Sequence, residues 1–375
     1  MTEQTINTGD ASTDQMIVDE MKRSYEEAGM GVEVVKAAGG GLVVRIKTPE
    51  VKTLSTPDGQ TFEMPKPGVF ELGGTEGHEL IAQVQAGDLT GIRKLLQTTR
   101  AQSDWDDRAF MLDLVGRQCP GDLLASACAR EPRAVDLLLL SGVYNLGQAW
   151  ANRGGGTADE ITDEGAEKMA TCVQNAQRDL QNAAELDRAD PTALARLIEV
   201  TMLSEGLPRE AGARFFKEAL ARVPTHMDAY WRMVLFTAQK WGGSDDEQLA
   251  VARAAQKAAK PGSDLAACLF RAHIEVWFYK QRFEGDEEAA KAYLEHGEVR
   301  GELNRAFDAW VTPSYQSRRA SIPYLHYAAC WYFVTGDRAR LKRAMGPLNH
   351  VQAQAPWWWF GEPAILFGQA IQQSM

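Results

Sequence analysis

Residues 190–224 read DPTALARLIEVTMLSEGLPREAGARFFKEALARVP. Asp190 before Pro191 is a helix-start signal. A carboxylate caps free N–H groups, and proline lacks the N–H that the first turn would leave unpaired. Leu194, Leu197, Ile198 and Met202 then recur at helical spacing and form one apolar face. Gly206-Leu207-Pro208 turns the chain. Phe215, Phe216, Ala219, Leu220 and Val223 line a second helix, which Pro224 ends 33 residues after Pro191. The unit is therefore a helix, a turn and a helix, with proline as punctuation.

Working outward, His226 to Lys260 forms a second such unit, closed by Pro261, 37 residues after Pro224. Inside it, Ser244-Asp245-Asp246-Glu247 has the spacing of a capping box. The three acids could also pair for acid–base work, but charge at a helix N-terminus explains them more simply. Upstream, Met169, Val173, Ala176, Leu180 and Ala183 form a buried helical stripe. Gly87-Asp88, Gly285-Asp286 and Gly336-Asp337 repeat one joint, a glycine that ends a helix and an aspartate that starts the next.

A helix pair every 33 to 37 residues resembles the tetratricopeptide-type repeats. Ala219 and Phe216, five and eight residues before Pro224, match that family's pattern, whereas Val200 stands near where it has a small residue. The resemblance covers residues 76–375 by architecture and about 163–261 by motif. The joint Lys240-Trp241-Gly242-Gly243-Ser244 and the late Trp run also resemble an uncharacterised bacterial family of helical-repeat proteins, which brings no activity with it. The resemblance implies a mainly α fold, an antiparallel helix-pair array with a concave surface that holds peptides or partner proteins.

Residues 1–75 read differently. The first 14 are polar and expected to fray. Gln15–Ala28 is expected to form a short amphipathic helix, and Leu42–Ile46 a strand. Residues 51–54 and 61–64 flank Thr56-Pro57-Asp58-Gly59, a turn. This predicts a small N-terminal β element ahead of an α-helical domain over 76–375.

Composition excludes other classes. The 375 residues are 45% apolar and 24% charged, ordinary for a folded chain with a large core. The net charge of -11 argues against a nucleic-acid groove. Basic residues cluster only at Arg318-Arg319, read as a solvated loop, and at Arg338, Arg340, Lys342 and Arg343. No apolar run reaches the roughly 18 residues of a membrane span. The five cysteines are odd in number, with no CxxC, and Met1–Thr5 has no signal-peptide character, so a reducing, cytoplasmic and bacterial setting is expected.

No catalytic motif stands out. The six histidines show no metal-ligand spacing, and the glycines of Asn152–Thr157 lack the Lys-Ser or Lys-Thr of a phosphate loop. No cofactor, metal or catalytic residue is assigned. Aromatics carry more information. Tyr230 and Trp231, with Tyr324, His326 and Tyr327, are expected to line an inner groove. Trp277 shares a helix face with His273 and Lys280. Trp357-Trp358-Trp359 either closes the last repeat or offers an exposed anchor. The expected binding residues are therefore Tyr230, Trp231, Trp277, Tyr324, Tyr327, Trp357, Trp358 and Trp359. The expected function is a non-catalytic scaffold or adaptor whose aromatic and acidic groove binds a basic or amphipathic protein or peptide. An enzyme with a site assembled in a helical pocket, and a subunit self-associating through its Trp-rich end, are the alternatives.

Overall fold

The computed structural model describes residues 2–6, 31–36, 42–47, 54–55, 61–62, 74–155, 160–348 and 351–374. The chain divides into two compact units, Met1–Phe70 and Glu71–Met375.

In the first unit, β1 (Thr2–Ile6), β2 (Gly31–Lys36) and β3 (Leu42–Lys47) form an antiparallel sheet in the order β1-β3-β2. Val44 lies opposite Gln4 on one side and Val34 on the other. The Val-rich text of β2 and β3 favours this pleated pairing. The pairing of residues 2–6 corrects the expectation that they fray. β3 would otherwise keep one row of backbone N–H and C=O groups unpaired, and β1 occupies that edge. β4 (Leu54–Ser55) and β5 (Thr61–Phe62) pair as a separate two-stranded ribbon. The expected helix over Gln15–Ala28 and the turn at Thr56–Gly59 lie outside the described residues.

The second unit is helical throughout its described residues, and the protein is mainly α. In order, the helices are α1 (Gly74–Gln85), α2 (Thr90–Gln102), α3 (Trp105–Gly116), α4 (Gly121–Arg130), α5 (Val135–Arg153) and α6 (Asp163–Leu186). Then come α7 (Thr192–Leu203), α8 (Glu210–Arg222), α9 (Met227–Phe236), α10 (Asp245–Ala258) and α11 (Ala267–Tyr279). The last are α12 (Glu287–Glu295), α13 (Gly297–Trp310), α14 (Ile322–Thr335), α15 (Arg338–Leu348) and α16 (Pro363–Ser374).

Two kinds of helix alternate through the middle. In α7 every residue from Thr192 to Thr201 is buried, and in α11 every residue from Ala267 to Trp277. A helix apolar nearly all round must be covered on all sides. The helices between them are amphipathic, and α6 buries the expected Val173, Ala176, Leu180 and Ala183. The buried helices pack in succession, α7 on α9, α9 on α11 and α11 on α14. α3 touches α5, α7 and α9, and also the 3-10 turn Arg319–Ser321 that leads into α14. Helices far apart in sequence thus face one common interior.

The joints obey the chemistry read from sequence. Gly87, Gly285 and Gly336 have φ of +90°, +67° and +75°. The aspartates that follow accept backbone N–H bonds from Thr90, Ala289 and Arg340 at 2.8, 2.8 and 3.0 Å. Asp190 accepts from the N–H of Thr192 at 2.8 Å. It is also held by Arg108 of α3, whose Nε lies 2.8 Å from its carboxylate with both side chains 3% exposed. That buried pair was not legible in the sequence. Ser244 caps α10 by accepting from Glu247 N at 3.2 Å, while its own N–H goes to the Thr237 carbonyl, so only half of the capping box forms. Gly243 beside it is required, because a Cβ there would lie 2.0 Å from the Thr237 oxygen.

Two buried histidines make the fold acid-sensitive. Burial pulls His226 down to about 4 and His326 to about 3, against an ordinary value of 6.5. The unfolded imidazoles take up protons first as pH falls. The stability they contribute is therefore full above pH 6.5 and is lost on descent towards pH 4 and 3. Neither ring nitrogen of His226 has a hydrogen-bond partner among the described residues, so leucine should replace it at little cost. His226→Leu is expected to reduce the acid loss by one proton, about 1.4 kcal/mol per pH unit. Denaturant unfolding at a series of pH values from 7 to 4 measures this; an unchanged slope would contradict it.

Candidate functional site

Four of the interior helices each carry an arginine and an acid three or four residues apart. They are Asp113 on α3 with Arg117 at its C-cap, Arg196 and Glu199 on α7, Asp228 and Arg232 on α9, and Arg271 and Glu275 on α11. Such spacing puts both side chains of a pair on one face of its helix. Because the helices converge, the pairs meet. Most of these side chains, with Trp150, Trp231 and Tyr324, line a cavity of about 350 Å³.

Arg196 is the centre of the network. It is 1% exposed, and its Nη1 reaches Asp113 Oδ1 at 2.9 Å, its Nη2 the Ala109 carbonyl at 2.9 Å, and its Nε Asp228 Oδ2 at 3.3 Å. Arg232 lies 3.1 Å from both oxygens of Asp228 and also binds Glu199. Trp150 Nε1 donates to Glu199 at 2.5 Å. Arg117 Nε lies 2.8 Å from Asp113. Burial raises Asp113, but Arg117 and Arg196 outweigh it and hold the carboxyl at about 2. Asp228 goes the other way. Burial, reinforced by the charges of Asp113 and Glu199, pushes it up to about 7 against the pull of Arg196.

Arg271 differs from its neighbours. Its Cζ stands 4.5 Å from the ring centroid of Trp231, and its Nη1 donates to the Trp231 carbonyl at 2.8 Å. Glu275 Oε1 is 3.9 Å away, while Glu275 Oε2 lies 2.7 Å from Lys240 Nζ. Lys240 in turn sits 5.0 Å from the ring of Phe278 and 5.3 Å from that of Trp359. The Lys240–Ser244 joint thus places its lysine against the arginine network, and its Trp241 packs edge-on to Trp150 at 5.6 Å.

The aromatic residues expected to bind separate into three groups. Trp231 meets Tyr324 and Tyr327 edge-to-face, at 4.8 Å in each case, and Trp231 and Tyr324 face the cavity. Tyr327 continues to Trp359 at 6.2 Å, and Trp359 to Trp358 at 6.4 Å. These five rings form one track from the cavity wall to Trp358, which is 57% exposed. Trp277 stacks on Phe360 at 3.9 Å, apart from that track. Tyr230 packs on Phe216 and is 5% exposed, and Trp357 is fully buried, donating to His326 Nδ1 at 3.0 Å. Those two are core residues. The 3-10 turn Trp357–Trp359 points its three rings in different directions, so one fills the core while another meets solvent.

Two sequence expectations change. The groove was expected to be acidic, but its carboxylates are taken up by arginines, four against three in the cavity wall. Arg318 and Arg319 are not in a solvated loop. Arg318 lies 2.9 Å from both Asp104 and Asp106, and Arg319 2.5 Å from Asp107 and from Glu76. They fasten the turn before α14 to the acidic first turn of α3 and to α1. In the basic cluster near 340, Arg340 and Arg343 share Asp308 at 2.8 and 2.5 Å, and Arg340 also binds Asp337 at 2.9 Å.

Among the described residues, no group of three His, Cys, Asp or Glu could hold a metal ion. His273 is spoken for, with Nδ1 2.8 Å from the Tyr293 hydroxyl and Nε2 3.2 Å from Glu302. The signal for the cavity residues was present in the sequence, as isolated charged pairs in otherwise apolar helices. No protein-family model matches the chain, and no curated protein matches it.

The split within the Trp run gives a contrast. Trp357→Ala should cost about 3–5 kcal/mol of unfolding free energy, because it empties a core site. Trp358→Ala should stay within about 0.5 kcal/mol. Chemical denaturation of the two variants measures the difference; similar losses would contradict these placements.

Proposed function

We propose that the helical unit is a non-catalytic interaction module, a tetratricopeptide-like scaffold that receives a segment of a partner protein. The observation that carries this reading is the continuous track of rings from Trp231 at the cavity to exposed Trp358. Tryptophan at the surface is costly to leave in water and is enriched where binding energy concentrates. A partner lying over Trp358 would rest on the exposed end of the track, whose middle ring, Tyr327, is 6% exposed and links that end to the cavity wall inside the protein.

A second reading, an active site in the same cavity, rests on Asp228. A carboxyl near 7 beside Arg232 is suited to exchanging a proton at neutral pH. The ion pairs around it describe a structural network equally well.

The test is recovery of partners from the native host with tagged protein, compared between wild type and Trp358→Ala. The expected result is a stoichiometric protein partner held by wild type and at least about tenfold depleted from the variant, matching the loss of one binding hot spot. Recovery of the bait alone, with a mass that rises with concentration in light scattering, would replace this reading with self-association.

A further inference from the structure

The cavity's arginines are not equally engaged. Arg196 spends both terminal nitrogens on Asp113 and the Ala109 carbonyl, and Arg232 is held by Asp228 and Glu199. Arg271 makes one hydrogen bond, to the Trp231 carbonyl, out of the five N–H groups a guanidinium carries. Its Nε is buried without a hydrogen-bond acceptor, as is that of Arg196, but Arg271 differs in having one terminal nitrogen with no hydrogen bond among the described residues. It is 8% exposed and lines the cavity. Glu275 does not fill that role, because its nearer oxygen stands 3.9 Å away and its other is claimed by Lys240. A buried donor without a partner costs free energy that an incoming acceptor would recover.

The geometry also fixes what kind of acceptor fits. The Trp231 ring lies under the guanidinium and its carbonyl holds one corner, so the fork is set before a ligand arrives. A preset planar fork matches the two oxygens of a carboxylate. Four arginines against three carboxylates leave one positive charge in excess, which suits a single negative charge. The volume of about 350 Å³ is at the small end for ligand pockets, enough for a side chain and not for a helix.

We propose that Arg271, clamped on Trp231, is the receptor for the carboxylate of an Asp or Glu side chain that a partner polypeptide inserts into the cavity. This rests on the interaction-module reading above and adds the partner's chemistry. It differs from the partner expected from sequence, a basic or amphipathic segment. Carboxylate recognition supplies selectivity, and exposed Trp358 supplies apolar contact.

The experiment titrates the full chain with two blocked hexapeptides of Ala and Ser, one carrying a central Glu and the other Gln, and with glutarate. Calorimetry reads affinity, and the fluorescence of the tryptophans reports the event. The Glu peptide should bind at least about tenfold more tightly than the Gln peptide, the range of one charge-assisted hydrogen bond. Arg271→Gln should abolish that preference, and its thermal melt shows whether the variant is folded. Should it fail to fold, the loss of preference at raised salt in wild type, with the Gln peptide unaffected, makes the same point. Equal affinities for the two peptides, or no binding of either, would overturn the proposal. Arg271-dependent binding of glutarate without the Glu peptide would also overturn it, in favour of a free small carboxylate. If a captured partner depends on Trp358 but not on Arg271, the carboxylate inference falls while the interaction-module reading stands.

Discussion

The guanidinium of Arg196 is a full charge held almost out of water, and the rest of the helical unit is arranged around that fact. Removing such a group from solvent costs several kcal/mol unless partners surround it. Those partners come from elsewhere in the chain: Asp113 and the Ala109 carbonyl from α3, and Asp228 from α9. Three helices are therefore fixed to one point. The buried Arg108–Asp190 pair does the same between α3 and the start of α7. Apolar packing alone would let these helices slide with little penalty; directional, charged contacts set their register.

The same constraint explains why a cavity exists in an interior otherwise closed by leucine, alanine and tryptophan. Long charged side chains meeting head to head cannot interdigitate as aliphatic ones do. Space remains between them, bordered by Trp231 and Tyr324, and Arg271 is left with a single hydrogen bond among the described residues. Binding capacity at Arg271 is thus a by-product of how the fold holds its other charges.

Much of the fold was legible in sequence, because helix starts and stops are local chemistry. Asp190-Pro191, the Gly-Asp joints and Ser244 carry their information within a few residues. The stripe of α6 was legible for the same reason. The strand at residues 2–6 was not, since its pairing depends on a partner forty residues away whose own edge had to be filled. The site was half legible. Trp231, Tyr324, Tyr327, Trp358 and Trp359 do form one track, but nothing local distinguishes Trp357, which is core, from Trp358, which is not. The arginine network was missed although its pattern is plain once seen: Arg196 with Glu199, Asp228 with Arg232 and Arg271 with Glu275 interrupt apolar helices. Each pair reads alone as an ordinary surface ion pair, and convergence of the helices is what gives them a shared role.

The fastening of Arg318 and Arg319 to Glu76, Asp104, Asp106 and Asp107 has a consequence in time. Its partners are separated by 212 to 243 residues of chain. A ribosome adding 5–20 residues per second needs about 10 to 50 s to pass from one to the other. Throughout that interval the acidic turn of α3 exists without its arginines, and α11 emerges without α14, which covers it in the finished protein. The nascent chain therefore exposes, for tens of seconds before the fastening can form, the flank that α14 will cover.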